Sequence, residues 1–155
     1  MLAFNNIGSL GRLGNQMFEY AALRGIAARH SYEFCIPPEE RKGIENYSLH
    51  NCFQLSPDRS EGFFDNINYV QEPHFHFSEE LFETCPDNVS LHGFFQSWRY
   101  FANVTEEIRK DFTFHKTISD PCVEMMQELE GEEPIMLHVR RGDPNLTDPR
   151  GFKWS

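Results

Sequence analysis

At 155 residues the chain is long enough for one ordinary domain with its own core, and its length does not require a second. With 39% hydrophobic and 25% charged residues, and 15 phenylalanines, it is too apolar and aromatic to stay disordered. A formal net charge of −10 argues against non-specific binding to nucleic acid or to an anionic membrane surface, so any anion site must be built from a few arginines that the fold gathers.

Taken in chain order, Leu2 to Ile7 is short and mostly apolar and runs into glycines at 8, 11 and 14, which reads as a strand entering a glycine-rich turn. The run QMFEYAALRGIAAR, Gln16 to Arg29, is rich in helix formers. Phe18, Ala22 and Ile26 repeat at i+4 as a buried stripe, with Asn15 placed to cap the first turn. Tyr32 to Ile36 is a second strand, stopped by Pro37 and Pro38, so the opening predicts a βαβ unit. Residues 43–88 lack periodicity and are expected to be irregular with short strands, carrying a phenylalanine-rich run (Phe63, Phe64, Phe75, Phe77, Phe82) that either shapes an acceptor-side surface or fills the core. Asp65, Glu72 and Glu79 in this stretch are read as solvated carboxylates, and no residue qualifies as a general base.

Val89 to Phe95 alternates as a strand should, and Thr105 to Phe112 fits a helix capped by Thr105 or Asn103. A further helix is expected from Pro121 to Glu130. Pro134 to Val139, PIMLHV, then reads as a fully buried strand of a parallel sheet. The turn-rich end, PNLTDPRGFKWS, brings no closing element, so the second half of the fold is expected to be truncated.

Cys35, Cys52, Cys85 and Cys122 show no metal-type spacing and are expected to be reduced and mostly buried. The N-terminus lacks the features of a secretory signal and no stretch approaches a membrane span, so the chain reads as cytoplasmic, with no membrane association indicated. The N-x-S/T triplets at Asn46, Asn88, Asn103 and Asn145 are then accidental.

Two constellations carry possible chemistry. His138-Val139-Arg140-Arg141-Gly142-Asp143 leaves the carboxyl end of the expected PIMLHV strand, where ligands bind in open α/β sheets, and arginine donates in a bidentate fork that suits phosphate. The alternative is a surface ion-pair cluster of Arg140, Arg141 and Asp143, worth little energetically. The second constellation, Gly8 to Gln16, is a G-x-x-G-x-x-G loop feeding a helix N-terminus, a place suited to anions. It matches neither the dinucleotide fingerprint nor a Walker loop.

The segment GRLGNQMFEYAALRGIA resembles the N-terminal signature of the bacterial and viral α-1,2-fucosyltransferase family, of glycosyltransferase family 11 type. GFFQSWRYF followed by IRKDFTF is similar to that family's middle region. HVRRGD resembles the donor-binding motif it shares with α-1,6- and protein O-fucosyltransferases. The three stand in family order. The resemblance implies an α/β, GT-B-like architecture of Rossmann-like parallel sheets with flanking helices. Residues 1–130 would be the N-terminal half, and 131–155 the start of a GDP-fucose-binding half.

It also implies transfer of fucose from GDP-fucose to a galactoside or other glycan acceptor in α-1,2 linkage, inverting, without metal or cofactor. Arg140 would be the catalytic group acting on the departing diphosphate. His138, Arg141 and Asp143 would support the donor, while Gly14, Asn15 and Gln16 would line the opposite wall of the cleft. A non-catalytic glycan- or nucleotide-binding module is the alternative function. A kinase- or phosphatase-like enzyme would need a carboxylate set or a nucleophile beside the glycine loop, and neither is in the sequence.

Overall fold

A computed structural model describes residues 1–40, 47–62 and 68–139. The chain divides into two compact units, Met1–Ser119 and Asp120–Ser155.

The first unit is organised by a parallel sheet. β1 (Leu2–Ala3) is buried on both faces, as a central strand of a parallel sheet must be, and lies between β2 (Phe34–Ile36) and β5 (Val89–His92). Its register sets Leu2 opposite Phe34 on one side and Val89 on the other. β3 (Ser60–Glu61) extends the sheet beyond β2, and β4 (Asn68–Gln71) lies beyond β5, giving the order β3-β2-β1-β5-β4 with every pairing parallel. The chain builds outward from β1 to β3, crosses to the far edge at β4, and returns inward to β5. The direction of winding therefore reverses between β1 and β5. This is the Rossmann-like α/β sheet expected from the sequence, although β1 and β2 are shorter than the apolar runs that announced them.

α1 (Leu13–His30) follows the glycine loop and buries a face wider than the i+4 stripe, including Tyr20, Leu23 and Ile26; Phe18 is only half-buried. The helix begins before Asn15. Arg12 occupies the cap position in an extended conformation with no side-chain cap, and the backbone N–H groups of Asn15 and Gln16 both reach its carbonyl. Asn15 is therefore not the cap, because its amide oxygen is taken by Gln96 (2.8 Å). At the other end Ser31 turns left-handed (φ 57°) and Tyr32 N–H returns to Ala27 O at 2.9 Å, while Arg29 and His30 suit the negative end of the helix.

The middle of the chain carries the short strands expected there, β3 and β4, and adds two short helices. These are α2 (Leu49–Cys52) and α3 (Glu79–Thr84), the latter capped by Ser78 Oγ accepting from Leu81 N–H at 3.2 Å. The aromatic run divides: Phe77 and Phe82 pack on the core, whereas Phe75 is 70% exposed. Phe63 and Phe64 lie outside the described residues.

After β5, two short 3-10 turns (Trp98–Tyr100 and Ala102–Val104) lead into α4 (Thr105–Asp111). Neither expected cap forms there: Thr105 is already helical with its hydroxyl on Ala102 O, and Asn103 donates instead to Gly25 O. Asp111 closes the helix inward, accepting from Tyr20 Oη (2.7 Å) and pairing with Arg24. Tyr100 is fully buried, edge-on to Phe95 at 5.2 Å. Its backbone lies so near α1 that a Cβ on Gly25 would fall 2.0 Å from the Tyr100 carbonyl oxygen.

α5 (Lys116–Glu128) starts five residues before the expected Pro121, which sits inside the helix. Beyond it, residues 134–139 form no strand. Ile135, Met136 and Leu137 are each more than four-fifths exposed. An apolar run shows what a segment can bury, but a parallel strand forms only where a neighbouring strand completes its hydrogen bonds, and among the described residues none lies beside this one. The cysteines are free, with Cys35 and Cys85 buried, Cys52 half-buried and Cys122 exposed. No helix among the described residues is long and apolar enough to cross a membrane.

Candidate functional site

In an open α/β sheet the reversal of winding leaves a crevice at the carboxyl ends of the two strands that flank it. Here those strands are β1 and β5, and their exits are tied together. Asn5 N–H donates to Ser90 Oγ (2.9 Å), and the Asn6 side-chain amide meets His92 Nδ1 at 3.0 Å. With Asn6 donating, the neutral imidazole carries its proton on Nε2.

The glycine loop springs from the β1 exit. Gly8 has φ +84°, and a side chain there would also collide with the Tyr47 ring, 2.9 Å away, so both backbone angle and space require glycine. Gln16, fully buried, braces the loop: its amide nitrogen donates to Gly11 O (3.2 Å) and its amide oxygen accepts from Ser48 N–H (3.0 Å). One turn on, Glu19 is fully buried, and although the Gly8 backbone N–H lies near its carboxyl, neither oxygen closes a hydrogen bond of good geometry among the described residues. Burial pushes its pKa up to about 8, against a weaker downward pull from the Gly8 backbone N–H, so the group is largely a neutral acid at pH 7.

On the β5 side the exit is Gly93-Phe94-Phe95-Gln96. Gly93 (φ +148°) and Phe95 (φ 50°) hold the backbone in conformations that ordinary residues avoid, and Glu72 compensates. Leaving the end of β4, Glu72 accepts with Oε2 from the N–H groups of Phe94 (2.8 Å) and Phe95 (2.9 Å). The expectation of a solvated Glu72 is thus corrected: it is 8% exposed, and its Oε1 is buried without a partner among the described residues. Glu79 is exposed as expected, and Asp65 lies outside the described residues. A pocket of about 240 Å³ opens here, lined by Leu10, Gln71, Glu72, Pro73, His74, Phe75, His92, Gly93 and Phe94.

Of the residues singled out from sequence, Gly14, Asn15 and Gln16 all fall in the first turn of α1, and Gln96 joins Asn15 to the β5 exit. His138 lies in the exposed segment after α5, while Arg140, Arg141 and Asp143 lie outside the described residues. Sequence reasoning missed Asn6, Glu19, Glu72 and His92. For Glu19 a signal was available, a lone carboxylate between Phe18 and Tyr20 on a helix otherwise read as core. For Glu72 and His92 the partners are remote in sequence, and nothing local marks them.

The fold and this crevice define the chain as a Rossmann-like α/β protein with a site at the reversal of winding. Its relatives give a narrower answer. It is 31% identical to galactoside alpha-(1,2)-fucosyltransferase 2 of Sus scrofa over 144 residues, covering 88% of this chain and 41% of that protein. It is 28% identical to galactoside alpha-(1,2)-fucosyltransferase 1 of Ateles belzebuth and of Homo sapiens, over 152 residues in each case, covering 92% of this chain and 40% of theirs. The chain is a relative of the galactoside alpha-(1,2)-fucosyltransferases and spans about two-fifths of their length. No family model matches it, and no solved structure does.

Proposed function

We propose that this chain is part of a galactoside α-1,2-fucosyltransferase that uses GDP-fucose, contributing the N-terminal Rossmann-like half (residues 1–130) and the beginning of the donor-binding half (131–155) of a GT-B-like enzyme. The observation that carries this reading is a likeness to named fucosyltransferases along about nine-tenths of the chain.

In the reaction, an acceptor hydroxyl oxygen bonds to C1 of fucose from the face opposite the diphosphate. The C1–O bond to phosphate breaks, and its electron pair leaves with GDP, so the sugar centre inverts; the hydroxyl proton passes to a base. Negative charge grows on the diphosphate as it departs. Arg140 stabilises that charge, with Arg141 as a second cation and His138 and Asp143 supporting the loop, a division of labour that needs no metal. Gly14 and Asn15 face the fucose from the other wall. Gln16 acts from beneath by holding Gly11, since its amide is already engaged at both ends.

The test is fucosyl transfer from GDP-fucose to a β-galactoside by the complete reading frame, with and without chelator, comparing wild type and Arg140→Ala. Loss of one preorganised donor to a developing anion costs about 10²–10³ in kcat. An unchanged rate in Arg140→Ala refutes the donor assignment.

A further inference from the structure

The pocket beyond β4 and β5 is not accounted for by donor binding. Its 240 Å³ is below the roughly 300–1,000 Å³ typical of pockets for drug-sized ligands, a size for one small ring rather than a nucleotide diphosphate. None of its described lining residues is lysine or arginine, so no permanent cation faces a phosphate there. What it offers is an aromatic wall with polar groups beside it. The Phe75 and Phe94 rings lie nearly parallel, 24° apart with centroids 6.2 Å apart, and Phe75 is 70% exposed although its neighbours Phe77 and Phe82 pack inward. An exposed phenylalanine stacked on a second ring at a cavity mouth is a platform without a cover.

One polar group is matched to a hydroxyl. With Nδ1 occupied by Asn6, His92 has Nε2–H left to donate. Glu72 braces this wall from behind, its Oε2 held by the Phe94 and Phe95 N–H groups and its Oε1 buried out of reach of the cavity. Leu10 of the glycine loop closes one side, which puts the pocket against the loop that faces the proposed donor.

We propose that this pocket is the subsite for the terminal pyranose of a neutral β-galactoside acceptor. The apolar C–H face of the sugar lies on Phe75 and Phe94, where polarised hydrogens meet the negative ring faces, and a hydroxyl accepts from His92 Nε2–H. The inference rests on the fucosyltransferase reading, from which it takes the class of sugar.

The experiment measures lactose binding to the complete reading frame by saturation-transfer NMR and titration, in wild type, Phe75→Ala, Phe75→Trp and His92→Gln. A weakening of tenfold or more in Phe75→Ala and in His92→Gln, with recovery in Phe75→Trp, is expected. In transfer assays Phe75→Ala should raise KM for lactose by a similar factor and leave KM for GDP-fucose unmoved. Unchanged lactose affinity in both Phe75→Ala and His92→Gln overturns the subsite, as does wild type that binds no lactose with or without GDP, or a pocket whose lactose GDP displaces competitively. Wild type that binds lactose through Phe75 yet transfers no fucose overturns the enzyme reading and leaves the subsite standing.

Discussion

Glu19 offers a sharp electrostatic test of the fold. The unfolded chain releases this proton near the ordinary value of 4.5, whereas the folded chain keeps it to about 8. Between those values the native state binds more protons than the unfolded state, so this group makes stability fall as pH rises through the window; below 4.5 it contributes no pH dependence. One pH unit within the window corresponds to about 1.36 kcal/mol, so from pH 5 to pH 7 the carboxyl lowers stability by about 2.7 kcal/mol. Glu19→Gln keeps the shape and removes the titration. Urea unfolding of both proteins at pH 5, 6, 7 and 8 should show the variant gaining on wild type by that amount between pH 5 and 7, with the difference levelling off above pH 8. All other ionisable groups cancel in the comparison. Parallel stability curves would refute the argument, because they would mean that the carboxyl titrates alike in both states.

Two other substitutions test the packing behind the site. Gly25→Ala pushes a methyl group to 2.0 Å from Tyr100 O and 2.7 Å from Phe101 Cα, both backbone atoms that cannot rotate away. It should cost about 3 kcal/mol, at the upper end of ordinary overpacking, read as a lower midpoint in urea with an unchanged slope. Asp111→Ala removes the acceptor of Tyr20 and strands Arg24, whose side chain is 12% exposed, so it should cost about 3–5 kcal/mol. Tyr20→Phe loses only one hydrogen bond to that carboxylate and should cost about 1.5–3 kcal/mol by the same measurement.

The parts of this architecture legible in the sequence are those whose signals are local. Glycines at 8, 11 and 14 between an apolar run and a helix-forming run announced β1, the loop and α1, and the alternation from Val89 announced β5. The less legible parts depend on what is remote. β4, NYVQ, is an edge strand with three of its four residues exposed, so it carries no inward-outward alternation. The start of α1 shifted to Leu13 because Asn15, a good cap by composition, is held by Gln96, 81 residues away. PIMLHV shows the converse: strong local apolarity without a neighbouring strand among the described residues is not sufficient for a ladder. The site divides the same way. Its glycine loop could be read directly, whereas Glu72 gains meaning only once β4 and β5 stand side by side and its carboxylate reaches Phe94 and Phe95.

The bonds from Asn5 to Ser90 and from Asn6 to His92 act as two rivets across the seam between β1 and β5. Such a seam resists splaying, because opening the floor of the crevice would break both bonds as well as the β1–β5 ladder. The crest of the glycine loop is its exposed part, where Ser9, Arg12 and Gly14 reach the surface while Gly8 and Gln16 anchor its feet. The crevice thus has a floor held by bonds between its two central strands and a rim held at its two feet.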